Sequence, residues 1–166
     1  MEQDKKMDTV ERAARDKLAE RGVKPKHIAE LVLFLQKKYH PNLQLDECLS
    51  NVERVLSKRE VQNAILTGIH LDTAAEKGLL DEPLQSIIAT DESLYGVDEI
   101  MAFSIVNIYG SIGFTNYGYI DKEKPGILSY LNDKSTGMCH TFLDDIVGAI
   151  AAAASSRLAH RARNAE

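Results

Sequence analysis

Phe142-Leu143-Asp144-Asp145-Ile146-Val147-Gly148-Ala149-Ile150-Ala151-Ala152-Ala153-Ala154 is the stretch whose reading decides the fold. Two adjacent carboxylates are followed at once by nine uninterrupted apolar residues, Ile146 to Ala154. This places negative charge at the first turn of a helix that belongs in a core. An exposed helix N-terminus favours an anion by only about 0.3–1 kcal/mol, whereas an unpaired carboxylate inside a packed bundle is very costly. Asp144 and Asp145 therefore need a cation or hydrogen-bond donors close by. Gly148, one turn after Asp144 on the same face, is placed to let a neighbouring helix approach.

Upstream, helical periodicity recurs. Val10, Ala13, Ala14 and Leu18 share a face over Thr9 to Arg21, with Thr9 placed to cap and Gly22 to stop. Ile28, Leu31, Val32, Leu35 and Tyr39 form a second stripe after Pro25, ended by His40-Pro41. Leu45, Cys48, Leu49, Val52, Val55 and Leu56 predict a third helix, and Val61 to Ala75 a fourth that Gly78 ends. A short helix is expected over about residues 83–89. Val97 to Tyr109 reads as a long apolar helix whose charges are confined to Asp98 and Glu99, with Asp91 two turns earlier if the helix extends back. Gly110, Gly113 and Gly118 predict a bend or a close helix contact before Ile120. A turn at Lys124-Pro125-Gly126, a short helix over Ile127 to Leu131, a polar loop and a final helix from Thr141 to about His160 complete the chain.

No strand pattern and no Gly-rich turn opening a helix is present, which removes dinucleotide-binding and P-loop folds. The chain reads as all-α: one multi-helix bundle over residues 1–166. Its acidic helices, Val97–Tyr109 and Thr141–His160, are expected at the centre, with the amphipathic ones wrapped around them.

Composition narrows function. The 166 residues suffice for one real core, and an apolar fraction of 44% is ordinary for a folded chain. A formal charge of −5 argues against nucleic acid as partner. The nine-residue apolar run falls short of the ~20 needed to span a bilayer, and the polar start, Met1-Glu-Gln-Asp-Lys-Lys, lacks a signal-peptide core. A soluble, cytoplasmic protein is expected. Cys48 and Cys139 form no CxxC pair, which fits a reducing compartment and two isolated core thiols.

Carboxylates brought together from separate helices are what a hard divalent cation needs: Mg²⁺ takes oxygen ligands octahedrally and is completed by water and substrate phosphates. Asp91, Asp98, Glu99, Asp121, Asp144 and Asp145 would repel one another unless a cation or Lys124 offset them. Asp91 and Asp144 also sit where helix caps are common. His70 and His140 are candidate ligands or bases, although a lone histidine on a helix is more often structural. Cys139 lacks the oxyanion-binding loop a nucleophile requires. The terminal Arg157, His160, Arg161 and Arg163 suit a helix C-terminus.

At these residues the sequence resembles the phosphatidylglycerophosphatase A family, in its short soluble, YutG-like branch. Asp91 through Asp98-Glu99 is similar to the family's acidic segment, Asp121-Lys-Glu-Lys124-Pro125 to its Asp-x-x-Lys-Pro motif, and Phe142-Leu-Asp144-Asp145-Ile-Val-Gly148-Ala to its Leu-Asp-Asp signature. The motifs concentrate in residues 91–150. Gly126 stands where the family commonly has Trp and Gly118 where it often has Arg, and the Gly-Thr-rich motif and spanning helices of integral-membrane members are missing.

The resemblance implies an all-helical fold around a central helix and a role in phospholipid biosynthesis. The implied reaction is Mg²⁺-dependent hydrolysis of a phosphomonoester, phosphatidylglycerophosphate or a related substrate, by metal-activated water. Asp91, Asp98, Glu99, Asp144 and Asp145 would hold metal, Asp121 would join or support that shell, and Lys124 would face phosphate. Exposed apolar surface could serve a homo-oligomer or a peripheral contact at the inner face of the membrane. Two other readings use the same acids: a non-catalytic helical module that binds a cation or phosphorylated ligand, and an all-α nucleotide pyrophosphohydrolase, whose usual Glu-x-x-Glu spacing is not evident here.

Overall fold

The computed structural model describes residues 8–164, and these form nine α-helices and two single 3₁₀ turns with no strand. In chain order the helices are α1 (Thr9–Glu20), α2 (Pro25–Gln36), α3 (Leu45–Leu56), α4 (Arg59–Glu76), α5 (Leu84–Ala89), α6 (Val97–Val106), α7 (Ser111–Glu123), α8 (Ile127–Leu131) and α9 (Leu143–Asn164).

Every residue of α9 from Leu143 to Ser156 is buried. A helix with no polar stripe finds its minimum only when surrounded, and α2, α3, α4, α6, α7 and α8 all pack against it. Its small side chains give those neighbours room. Ser155 and Ser156 remain compatible with burial because each hydroxyl donates to a carbonyl one turn back, Ala151 at 2.9 Å and Ala152 at 3.2 Å.

The amphipathic helices behave as their stripes dictate. Ile28, Leu31, Val32 and Leu35 of α2 and Cys48, Val52, Val55 and Leu56 of α3 are buried, and α1 lies outermost against α4. Thr9 opens α1 as its first residue, after Asp8, and makes no side-chain cap.

Three expectations change. First, α6 is not a second centre. Its apolar residues face both ways, with Ala102 and Ile105 buried and Val97 and Ile100 exposed, so it forms part of the wall. Second, the helix does not reach back to Asp91, because Gly96 and Asp91 both take left-handed backbone, φ 75° and 52°. At its other end Gly110 (φ 82°, ψ −163°) separates a 3₁₀ turn, Asn107–Tyr109, from α7, so the anticipated bend is a full break. Third, α9 begins at Leu143 rather than Thr141. The amides of Phe142 and Leu143 donate to the Asp72 carboxylate of α4 at 2.9 and 3.0 Å, and the Thr141 hydroxyl donates to the Ile88 carbonyl at 2.6 Å. The cap thus comes from a helix 70 residues away.

The tightest glycine contact is also displaced from its expected place. A Cβ on Gly148 would meet Ile120 and Tyr117 at ordinary distances, 3.6 and 3.7 Å, whereas one on Gly68 of α4 would fall 2.3 Å from the Ile146 Cδ1 atom.

Candidate functional site

The start of α9 is where three helices meet. Asp144 and Asp145 come from its first turn, Asp98 from the first turn of α6, Asp121 from the last turn of α7, and Lys124 from the residue that ends α7. Asp98, Asp144 and Asp145 are buried and Asp121 is partly exposed. One carboxylate oxygen from each of Asp121, Asp144 and Asp145 lies within 4.8 Å of the other two. Asp98 lies close enough to Asp145 to push its carboxyl upward. Two carboxyl groups so close do not both ionise unless a cation lies between them; otherwise one keeps its proton.

Lys124 enters this group at the expense of its backbone, which is left-handed with φ 46° and ψ 53°. Its ammonium lies 2.8 Å from Asp121 Oδ1 and 3.4 Å from Asp144 Oδ2. Asp91 and Lys124 are the only non-glycine residues with positive φ among the described residues, and both belong to this end of the bundle. Strain of that kind, typically about 1–3 kcal/mol, persists where the surroundings impose it.

The electrostatics follow from burial and crowding. Burial pushes the Asp144 carboxyl upward, the charges of Asp91 and Asp121 add to it, and Lys124 opposes. Asp145 is pushed up by burial, then by Asp144 and by its contact with Asp98. Burial works against the Lys124 ammonium, yet the hydrogen bond to Asp121 and the charge of Asp144 hold it above the usual lysine value.

The remaining candidates take other places. Asp91 sits at the rim, its carboxylate paired with Lys134 at 2.9 Å, where its charge still acts on Asp144. Glu99 is exposed; it lies 100° around α6 from the buried Asp98. His70 is exposed and lines a surface groove with Lys17 and Lys77. His140 is buried, its Nδ1 3.1 Å from the Leu131 carbonyl oxygen and its ring against Tyr130. Cys139 is buried with its thiol pushed up by burial, the opposite of what a thiolate nucleophile requires. Cys48 is buried as well, and both cysteines are free.

Two residues escaped sequence reasoning. Asp72 is wholly buried and caps α9; burial raises its carboxyl to about 8 against the pull of the two amides it accepts from. Tyr117 stands one helical turn before Asp121 on α7, buried against Gly148, its hydroxyl pushed up by burial and then by the charge of Asp145. The four-residue spacing from Asp121 was a signal available in the sequence.

Chemically, the arrangement suits a hard cation. Ligands about 2.1 Å from Mg²⁺ stand up to about 4.2 Å apart across an octahedron, so the 4.8 Å spread of the three oxygens closes by small side-chain rotations. Burial supplies an unpartnered phenol hydroxyl in the same place. Among the described residues no helix is long and apolar enough to cross a membrane.

Fold and site together define a helical bundle with an acidic centre at the head of its core helix. The chain belongs to the phosphatidylglycerophosphatase A family, whose model matches residues 17–160. It is 72% identical to the uncharacterized protein YutG of Bacillus subtilis over 166 residues, the whole of both chains. Among solved structures it is similar to the low temperature requirement C protein of Listeria monocytogenes, with TM-score 0.94 and 69% identity over 95% of this chain and 99% of that one. A protein of unknown function from Bacillus stearothermophilus gives 0.91 and 76%, covering 94% and 97%.

Proposed function

We propose that the protein is a Mg²⁺-dependent phosphatase that hydrolyses a phosphomonoester, phosphatidylglycerophosphate or a related phosphorylated substrate. The observation that carries this reading is the gathering of Asp121, Asp144 and Asp145 within 4.8 Å, with Lys124 in contact with two of them. Family membership supports the chemistry.

In this reading Asp144 and Asp145 hold the ion from α9 and Asp121 from α7, while Asp98 orients Asp145 or joins the set. When bound, the ion supplies charge neutralisation at the phosphoryl group and a water of lowered pKa. The chain does the rest. Lys124, held above the usual lysine value, remains an ammonium and donates to phosphoryl oxygens once a cation shares its carboxylate partners. Burial of Asp98, Asp144 and Asp145 keeps bulk water from screening these charges. Asp91, paired with Lys134, and the exposed Glu99 act at the rim. Leu94, Val97 and Ile100, all exposed around the start of α6, provide the apolar surface for a peripheral lipid contact.

The test is release of inorganic phosphate from phosphomonoesters, offered both as lipid in vesicles and free in water, and from nucleoside triphosphates. Release that requires Mg²⁺, stops with chelator and is lost in Asp144→Asn is the expected result. If a folded protein releases nothing from any substrate, the phosphatase reading is wrong and a cation-binding helical module takes its place. Pyrophosphate release from the triphosphates would identify a pyrophosphohydrolase instead.

A further inference from the structure

Tyr117 is the buried polar group that the reading above leaves unused. The residue is only 4% exposed, and its hydroxyl has no hydrogen-bond partner among the described residues. The ring is fixed on two sides. Phe103 meets it edge-on with centroids 5.5 Å apart, and a Cβ on Gly148 would lie 3.7 Å from its Cε2 atom. A phenol held this way cannot swing out to find water, and burying a hydroxyl without a partner is unfavourable.

Asp145 is the complementary case. Asp144 accepts from the Asp145 amide at 2.8 Å and from Lys124, and Asp121 accepts from Lys124. Asp145 receives no N–H hydrogen bond from any described residue; it faces the carboxyl groups of Asp98, Asp121 and Asp144. The phenol without an acceptor and the carboxylate without a donor belong to the same contact between α7 and α9: the Tyr117 ring packs against Gly148, one turn beyond Asp145, and Asp121, one turn beyond Tyr117, has a carboxylate oxygen within 4.8 Å of one from Asp145.

We propose that Tyr117 is a positioning residue for the cation: its O–H donates to one oxygen of Asp145 and so directs the other towards Asp121 and Asp144. Ligating carboxylates are commonly oriented by such an outer hydrogen bond. Tyr117 and Asp121 lie one turn apart on the same face of α7, so a single helix presents a ligand and the group that aims a second ligand from α9. The proposal rests on the metal reading of the acidic centre.

Tyr117→Phe removes the hydroxyl and keeps the ring in its packing. Binding of Mn²⁺, used as a spectroscopic stand-in for Mg²⁺, is measured by electron paramagnetic resonance for the wild type, Tyr117→Phe and Asp144→Asn. The melting temperature is recorded without metal. Tyr117→Phe should weaken Mn²⁺ binding roughly 10- to 100-fold, with a metal-free melting temperature equal to or above that of the wild type. Metal addition should also perturb the near-ultraviolet tyrosine spectrum of the wild type more than that of Tyr117→Phe. Equal Mn²⁺ affinity in wild type and Tyr117→Phe overturns the positioning role while the metal site stands. If the wild type binds no ion and Asp144→Asn behaves alike, the metal reading itself fails and this inference falls with it.

Discussion

Two acids flank the start of α9, and their surroundings differ. Asp72 and Asp145 are both buried, and burial pushes both carboxyl groups upward. Asp72 accepts the amides of Phe142 and Leu143, so both of its oxygens have donors. Asp145 has no N–H donor among the described residues and is surrounded by other carboxyl groups. A carboxylate that is buried and satisfied terminates a helix. One that is buried among other acids leaves an electrostatic debt that a cation would remove.

The sharpest way to break this contrast is to neutralise each acid in turn. Asp145→Asn should lower phosphate release by more than about 100-fold, since even outer-shell changes around a metal cost about 10- to 100-fold. The same change should leave metal-free stability unchanged or improved, because it replaces a carboxyl group crowded among other buried carboxyl groups by a neutral amide. Asp72→Ala should do the reverse in stability. Two buried amides lose their acceptor, so the unfolding free energy should fall by about 2–4 kcal/mol, read from denaturant titration with or without Mg²⁺. If Asp145→Asn destabilises as strongly as Asp72→Ala, the acidic centre is structural and the comparison collapses.

The pH dependence separates them next. Asp144, Asp145 and Asp72 all stand above the ordinary carboxylate value in the folded chain. At these three groups the folded chain therefore binds more protons than the unfolded one above about pH 4, and their contribution to stability must fall as pH rises through the folded values. Metal-free protein should melt lower at about pH 8 than at about pH 5. If the acidic centre holds Mg²⁺ as proposed, the ion takes the deprotonated carboxylates and should restore the loss due to Asp144 and Asp145, leaving the part due to Asp72. A melting temperature that rises with pH in the absence of metal would contradict the assignment.

What the sequence disclosed, and what it hid, divides along the reach of each interaction. The stripes of α2 and α3 repeat within one helix, so Ile28, Leu31, Val32 and Leu35 declared their burial locally. Asp144 and Asp145 were conspicuous because they abut an apolar run. Asp72 left no trace, since the amides it caps lie 70 residues on. Asp98 and Glu99 read as a pair, but neighbours on a helix point 100° apart and one of them had to face out. The helix fails to extend back to Asp91 for another reason: Gly96 turns the chain before the helix begins, so the acid reaches the rim from a loop. Lys124 could be placed near the acids by motif, whereas the left-handed backbone that delivers it is a property of the assembled turn.

The smallest effects concern the two glycines that line α9. Gly148 lies in the helix itself, one turn after the acids, and an added methyl would make only ordinary contacts with Ile120 and Tyr117. Replacing glycine by alanine inside a helix is worth about 0.5–1 kcal/mol, so Gly148→Ala should be neutral or slightly stabilising. Gly68 has no such freedom. The Ile146 Cδ1 atom would lie 2.3 Å and the Phe142 Cβ atom 3.1 Å from its new methyl. Ile146 can rotate its terminal methyl away, but Phe142 Cβ is anchored to the turn whose amide Asp72 caps. Overpacking of this kind costs about 1–3 kcal/mol, which exceeds the helix gain, so Gly68→Ala should destabilise by about 1 kcal/mol. Because the displaced turn also carries Asp144 and Asp145, Gly68→Ala should weaken cation binding as well, and Gly148→Ala should not. Equal melting temperatures and equal Mn²⁺ affinities for the two variants would show that α4 does not set the position of the acidic turn.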